Sequence, residues 1–172
     1  MRRGIHYWIG EEIGRAGNLL FRGTPKDDTF HGKGGNDTIS GANGNDKLYG
    51  GAGDDGLYGQ NDKDKLFGEA GRDILDGGKG NDQLKGGTEA DRFVFSTGYG
   101  KDTVVDFEIG DLFTYDTIDL DDLASVESYD DLVASHMTQV GRNVVINGGG
   151  GDTLILKNVD IADLEAHHFS IW

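Results

Sequence analysis

Eight aspartates stand nine residues apart: Asp28, Asp37, Asp46, Asp55, Asp64, Asp73, Asp82 and Asp91. Carboxylates at fixed spacing suit two kinds of chemistry. A pair can act as general acid and base, or several can supply oxygen ligands to a hard cation. The regular row, set among glycines, points to the cation.

The row belongs to a longer pattern. Set in nines from Gly23, residues 23–94 read GTPKDDTFH, GKGGNDTIS, GANGNDKLY, GGAGDDGLY, GQNDKDKLF, GEAGRDILD, GGKGNDQLK and GGTEADRFV, without insertion. Position 1 is always Gly and position 6 always Asp. Position 8 is always apolar: Phe30, Ile39, Leu48, Leu57, Leu66, Leu75, Leu84, Phe93. Position 4 is Gly in five repeats. Self-similarity at a fixed period marks a stacked-repeat architecture.

Composition agrees. Of 172 residues, 30 are Gly, and the net charge is −15. The acids are 24 Asp against 7 Glu, a bias toward turns and oxygen ligands rather than solvating disorder. Such an acidic chain is a poor partner for nucleic-acid phosphates. The absence of Cys excludes disulfides and thiolate metal sites. The opening MRRGIHYWIGEEIG lacks an apolar stretch of N-terminal signal-peptide length, and no run approaches a transmembrane span.

These nonapeptides match the pattern G-G-x-G-x-D-x-U-x, where U is a large apolar residue. The chain thereby resembles the RTX (hemolysin-type) calcium-binding repeat family. The resemblance implies an all-β fold, a calcium-loaded parallel β-roll. The first six residues of each repeat form a calcium-binding turn and the last three a short strand. Two repeats make one turn of the roll, so residue n stacks on residue n+18.

With parallel strands about 4.8 Å apart, stacked carboxylates lie about 5 Å apart. Calcium–oxygen bonds of about 2.3–2.6 Å bridge that gap. Position 6 then forms two columns: Asp28, Asp46, Asp64, Asp82, and Asp37, Asp55, Asp73, Asp91. Adjacent pairs give three Ca²⁺ sites per column, and Asp82 with Asp102 gives a seventh. Loop carbonyls at Gly32, Gly34, Gly41, Gly50, Gly51, Gly59, Gly68, Gly77, Gly78 and Gly86 complete the oxygen shell. Glycine is expected there to turn carbonyls inward through positive φ. Without the ion, carboxylates at this spacing repel by about 3 kcal/mol at an effective dielectric near 20. One apolar residue in nine makes a thin core. The array is therefore expected to unfold without calcium.

The frame has departures and extensions. Lys26, Asp62 and Glu89 replace Gly at position 4, and Asp62 is a candidate extra ligand. Upstream, residues 14–22 read GRAGNLLFR, a capping turn with Leu19 where Asp should stand. Downstream, two extra residues precede Gly100-Lys101-Asp102-Thr103-Val104, which restores Gly-x-Asp-x-apolar. Three regions follow: an N-terminal segment and degenerate capping turn (1–22), the repeats (23–94, with an extension to 105), and a C-terminal capping and secretion-signal region (106–172).

The last region is expected to be a β-rich cap with one or two short helices. Strands are expected at 103–107, 117–120, 143–147 and 153–156, the last two around a turn at 148–151. Ser128 precedes a short helix over 129–137, and 160–167 forms one last helical turn. Asp106, Asp111, Asp116 and Asp119 are candidates for a further ion or for solvation. Residues 1–13, with Tyr7 and Trp8, are either a small helical cap or the tail of a preceding domain.

No catalytic motif is present: neither His-Glu-x-x-His nor Gly-x-Ser-x-Gly occurs. The expected function is a calcium-binding module, not an enzyme. It folds on Ca²⁺ after export and serves folding and type I secretion of an extracellular bacterial protein. The ending DLEAHHFSIW resembles an uncleaved C-terminal signal for type I secretion machinery, and reads equally as a strand pairing with the cap. One alternative is a calcium-dependent polysaccharide-binding module resembling those of alginate epimerases. Tyr49 and Phe67, with Lys47 and Lys65, would then form a surface for an acidic polysaccharide, or else a ladder that stiffens the sheet. Another alternative is a C-terminal fragment of a secreted protease, lipase or epimerase.

Overall fold

The computed structural model of the chain describes the backbone of residues 5–7 and 11–13, and residues 17–110 and 114–171 in full. Successive nonapeptides go alternately to two sheets, as a two-repeat turn requires. Strands are numbered along the chain. The first sheet runs β1 (Ile5–Tyr7), β3 (Leu20–Arg22), β5 (Thr38–Ala42), β7 (Gly56–Asn61), β9 (Ile74–Lys79), β11 (Arg92–Val94), β13 (Thr117–Asp119) and β17 (Phe169–Ser170). The second runs β2 (Glu11–Ile13), β4 (Thr29–Gly34), β6 (Lys47–Ala52), β8 (Lys65–Ala70), β10 (Gln83–Thr88), β12 (Lys101–Val104), β16 (Asp152–Leu156), β15 (Asn143–Gly149) and β14 (Met137–Val140). Pairing is parallel throughout, except where β14, β15 and β16 form an antiparallel meander.

Register follows the repeat. Lys47 pairs with Lys65 and Leu48 with Leu66 in one sheet, and Leu57 with Leu75 in the other. All eight apolar residues of position 8 are at most 1% exposed, in a single file between the sheets. Phe21 extends the file at one end, and Val104 and Ile118 at the other. Positions 7 and 9 alternate outward, as strand geometry demands.

Six of the repeat strands, β4 and β6 to β10, are twice the expected length. β6 covers positions 7–9 of one repeat and 1–3 of the next, leaving only 53–55 as turn. Both halves find hydrogen-bonding partners one turn away, so the ladder extends into what reads as turn.

The positive-φ expectation holds at four of the five position-4 glycines, Gly80 excepted, and fails at position 1. Gly35, Gly44, Gly53 and Gly71 have φ between 105 and 125°. No position-1 glycine has positive φ; their reason for being glycine is space. The second left-handed site is position 2, where Lys33, Ala42, Gln60 and Glu69 have φ of 75–86° alongside Gly51, Gly78 and Gly87. A left-handed backbone costs a side-chain-bearing residue about 1–2 kcal/mol. Asp62 and Glu89 carry the same strain at position 4. These turns therefore need a compensating interaction.

In the N-terminal segment β1 and β2 add one strand to each sheet, so of the two expectations for residues 1–13 the helical cap is replaced by strands. Trp8 and Gly14 lie outside the described residues. At the other end, β13, β16 and β17 continue the two stacks. Helix α1 (Tyr129–Asp131) continues as a wider π turn over Leu132–His136, with Ser128 Oγ accepting the Asp131 N–H at 3.1 Å. Two 3-10 turns, Ile161–Asp163 and Ala166–His168, replace the expected last helical turn. The chain's last ordered pairing is β17 on β13, where the Leu120 N–H donates to the Ser170 carbonyl at 2.9 Å. Among the described residues no helix is long and apolar enough to cross a membrane.

Candidate metal centre

Each turn ends on its position-6 aspartate because the carboxylate has a fixed partner one turn away. The Asp28 N–H donates to Asp46 Oδ1, Asp46 to Asp64, Asp64 to Asp82, and Asp82 to Asp102, at 2.7–2.9 Å. The second column runs Leu19, Asp37, Asp55, Asp73, Asp91 and Asp116, at 2.7–3.0 Å. Leu19 thus keeps the backbone half of a rung and lacks the carboxylate. All the position-6 aspartates are at most 2% exposed.

The other oxygen has no such partner. Oδ2 of Asp37, Asp46, Asp55, Asp64, Asp73, Asp82, Asp91 and Asp102 is buried and accepts no hydrogen bond. A buried acceptor left unmade costs about 1–3 kcal/mol, more if charged. Each of the first seven lies against the Cα of the glycine five residues before it. A Cβ on Gly32, Gly41, Gly50, Gly59, Gly68, Gly77 or Gly86 would collide with that oxygen. In the first five, the carbonyl oxygen of the position-1 glycine one turn on lies in the same space: Gly50, Gly59, Gly68, Gly77 and Gly86. An anionic oxygen and a carbonyl oxygen, converging without a donor between them, form a cradle for a hard cation. Among the described residues no group of three or more His, Asp or Glu side chains gathers around one point. The cradles rely on backbone oxygen, as expected of loops built from glycine.

The ends are built differently. Asp28 Oδ2 accepts the Thr24 N–H at 2.6 Å and the Thr24 hydroxyl at 3.0 Å. Asp116 takes the ladder position above Asp91, but its Oδ2 accepts the Glu108 N–H at 2.8 Å. Asp152 accepts Gly98 and Gly100 N–H with its two oxygens. Hydrogen-bond donors, backbone N–H groups and the Thr24 hydroxyl, take the place of a cradle at these three residues. The Gly34 carbonyl, expected in an oxygen shell, accepts the Gly17 N–H. Asp62 is likewise engaged: its Oδ2 accepts the Gly44 N–H at 3.1 Å. Asp106 Oδ1 accepts from Gly86 at 3.0 Å, Asp119 faces Arg92 at 3.4 Å, and Asp111 lies outside the described residues.

Asp116 was legible only as one acid among several. The signal that marks it is Asp116-Thr117-Ile118, the Asp-x-apolar triad of every repeat, 25 residues after Asp91 instead of 18.

Burial drives the electrostatics. It pushes the carboxyls of Asp46, Asp55, Asp64 and Asp116 up to about 7, and those of Asp73 and Asp82 to about 6. Asp91 and Asp102 rise to about 8, with neighbouring acids adding to the effect of burial. An unfolded Asp titrates near 3.9. The folded, metal-free roll therefore holds protons that the unfolded chain releases. This contribution to stability is complete below about pH 4 and is lost as pH rises through 6 to 8. In chelator, circular dichroism is expected to show more β structure at pH 5 than at pH 8. With calcium the order reverses, because ligands must be deprotonated to bind metal.

A family model for the RTX calcium-binding nonapeptide repeat (4 copies) matches residues 22–57 and 58–93. The chain carries RTX nonapeptide repeats over residues 22–93. Its repeats are calcium-binding, non-catalytic modules that form a parallel β-roll. Among solved structures it is similar to the AlgE6R3 subunit of the Azotobacter vinelandii mannuronan C5-epimerase, at 27% identity and a TM-score of 0.53. That match covers 87% of this chain and 80% of the other. The extracellular lipase LipA of Serratia marcescens matches over 100% of this chain at 17% identity and a TM-score of 0.47. The chain spans 40% of the length of that lipase. No curated protein matches the sequence.

The surface strip is also placed. Tyr49 and Phe67 rings stack 4.7 Å apart at 6°, and His31 joins them, 4.5 Å from Tyr49 at 5°. Lys47 and Lys65 pair beside them, exposed on the same sheet.

Proposed function

We propose that this RTX roll is the calcium-folded module of an extracellular bacterial protein. Ions held by Asp37, Asp46, Asp55, Asp64, Asp73, Asp82, Asp91 and Asp102, with position-1 carbonyls, switch the chain from unfolded to folded. Up to about six or seven ions take part, within the eight open rungs. The eight partnerless Oδ2 atoms carry this reading. Low calcium inside the cell keeps the array open for export, and abundant calcium outside closes it. The module itself supplies no catalysis.

Export is read through the C-terminus. Deleting residues 163–172 is expected to abolish release from a host carrying a type I exporter, with the chain accumulating inside. Equal release of the full-length and shortened chains would remove type I export from the reading.

A second reading adds a ligand. The three-ring stack of His31, Tyr49 and Phe67 beside Lys47 and Lys65 offers a platform for an acidic polysaccharide. The similarity to a subunit of a mannuronan epimerase supports it.

A further inference from the structure

Six of the nine lysines stand exposed on or beside the sheet of β4, β6, β8, β10, β12 and β16: Lys47, Lys63, Lys65, Lys85, Lys101 and Lys157. Four of them, Lys63, Lys65, Lys101 and Lys157, converge on an open groove of about 390 Å³. Among the described residues no lysine forms an ion pair. The single acid lining the groove, Asp82, has its Oδ1 turned to the Asp64 N–H of the turn before. A chain of net charge −15 has thus gathered unpaired cations in one place.

The groove is composite. Lys63 and Lys65 flank the turn and strand around Asp64. Lys101 opens β12, and Lys157 follows β16, the strand by which the C-terminal region joins the stack. Lys157 is fixed through its N–H, which donates to the Val104 carbonyl at 3.0 Å. In sequence the outermost pair are 94 residues apart (157 minus 63). Only the folded roll with its cap docked brings the four together.

We propose that this groove binds an acidic saccharide, and that its occupancy is coupled positively to calcium. Ammonium groups meet the charges, and Gln83, Asn81 and Thr103 along the floor suit hydroxyls. Phe67, on the same strand as Lys65, and Tyr49, on the neighbouring β6, continue the surface as a stacked pair of rings. A lipid surface fits poorly, since among the described residues the exposed large apolar side chains, Val133 and Val140, lie on the helix and the edge strand of the cap. A long nucleic acid meets the acidic remainder of the chain. Linkage makes the effect mutual: a ligand that needs the folded state raises the affinity of the ions that produce it.

The inference rests on the calcium reading, and one experiment separates the two. Binding of fluorescent hexagalacturonate is measured by anisotropy in saturating calcium, with dextran as the neutral control. The calcium midpoint of folding is followed by circular dichroism with and without the hexamer. The expected results are binding in calcium, none to dextran, and a lower calcium midpoint when the hexamer is present. Calcium sequestered by the hexamer moves that midpoint the other way, so it cannot mimic the effect. Lys101→Gln/Lys157→Gln should fold with calcium as the wild type does, bind the hexamer about tenfold more weakly, and lose the midpoint shift. Unchanged binding by that folded variant, equal binding to dextran, or no midpoint shift in the wild type would overturn the groove. A wild type that does not respond to calcium at all would overturn the calcium reading instead.

Discussion

In excess chelator at pH 8 the chain is expected to lose its β-roll, and calcium is expected to restore it. Eight Oδ2 atoms are buried without a donor, in two columns of like charge. Charging them in place meets desolvation and mutual repulsion, which is why their carboxyls titrate far above the ordinary range. Non-glycine residues held at positive φ add strain in the same turns. The file of one apolar side chain per repeat has no second layer to offset these terms. A divalent ion removes them together, by neutralising the carboxylate and fixing the turn. Far-UV circular dichroism should therefore show most of the β signal of residues 23–105 disappearing in chelator. A chelated spectrum that overlays the calcium spectrum would show that the roll stands on packing and backbone hydrogen bonds alone.

What was legible in the sequence follows from what each position must do. Position 6 must be Asp because one oxygen takes a neighbouring N–H while the other faces a cradle. Position 8 must be large and apolar because it is the whole core of residues 23–94. Both requirements repeat without exception, so both columns could be drawn from spacing once two repeats per turn were assumed. Position 2 was illegible: Lys33, Ala42, Gln60 and Glu69 share a left-handed backbone but no side-chain chemistry. Position 5 shows no fixed residue type in the sequence, yet it is engaged. Asp54, exposed, accepts the Arg72 N–H at 3.0 Å, and Asn81 accepts that of Lys101 at 3.0 Å. The ladder's ends were hidden by loop insertions, which displaced Asp116 from the nine-residue frame. His31 has no ring partner close to it in the sequence, because the one it stacks on is 18 residues away.

The invariant first glycine carries the sharpest test of the cradles. Gly59 does not have positive φ, so alanine there is unstrained by its backbone conformation. Its added methyl would stand 2.6 Å from the Gly77 carbonyl oxygen and closer still to Asp64 Oδ2. It would fill the space between the two oxygens while leaving both in the chain. Gly59→Ala should therefore bind about one calcium fewer per chain by native mass spectrometry, and its calcium midpoint should rise. Overpacking of a tight site costs about 1–3 kcal/mol on its own account, so the folded state should also lose stability in saturating calcium. Gly141→Ala provides the contrast, because its φ is positive, at 63°, and an added methyl there meets nothing within 4 Å. It should cost about 1–2 kcal/mol of backbone strain without losing an ion. If Gly59→Ala keeps the full complement of ions, the gap between Asp64 Oδ2 and the Gly77 carbonyl is not where calcium sits. The oxygen shell would then have to be built from position 3 and from the bridging Oδ1 atoms instead.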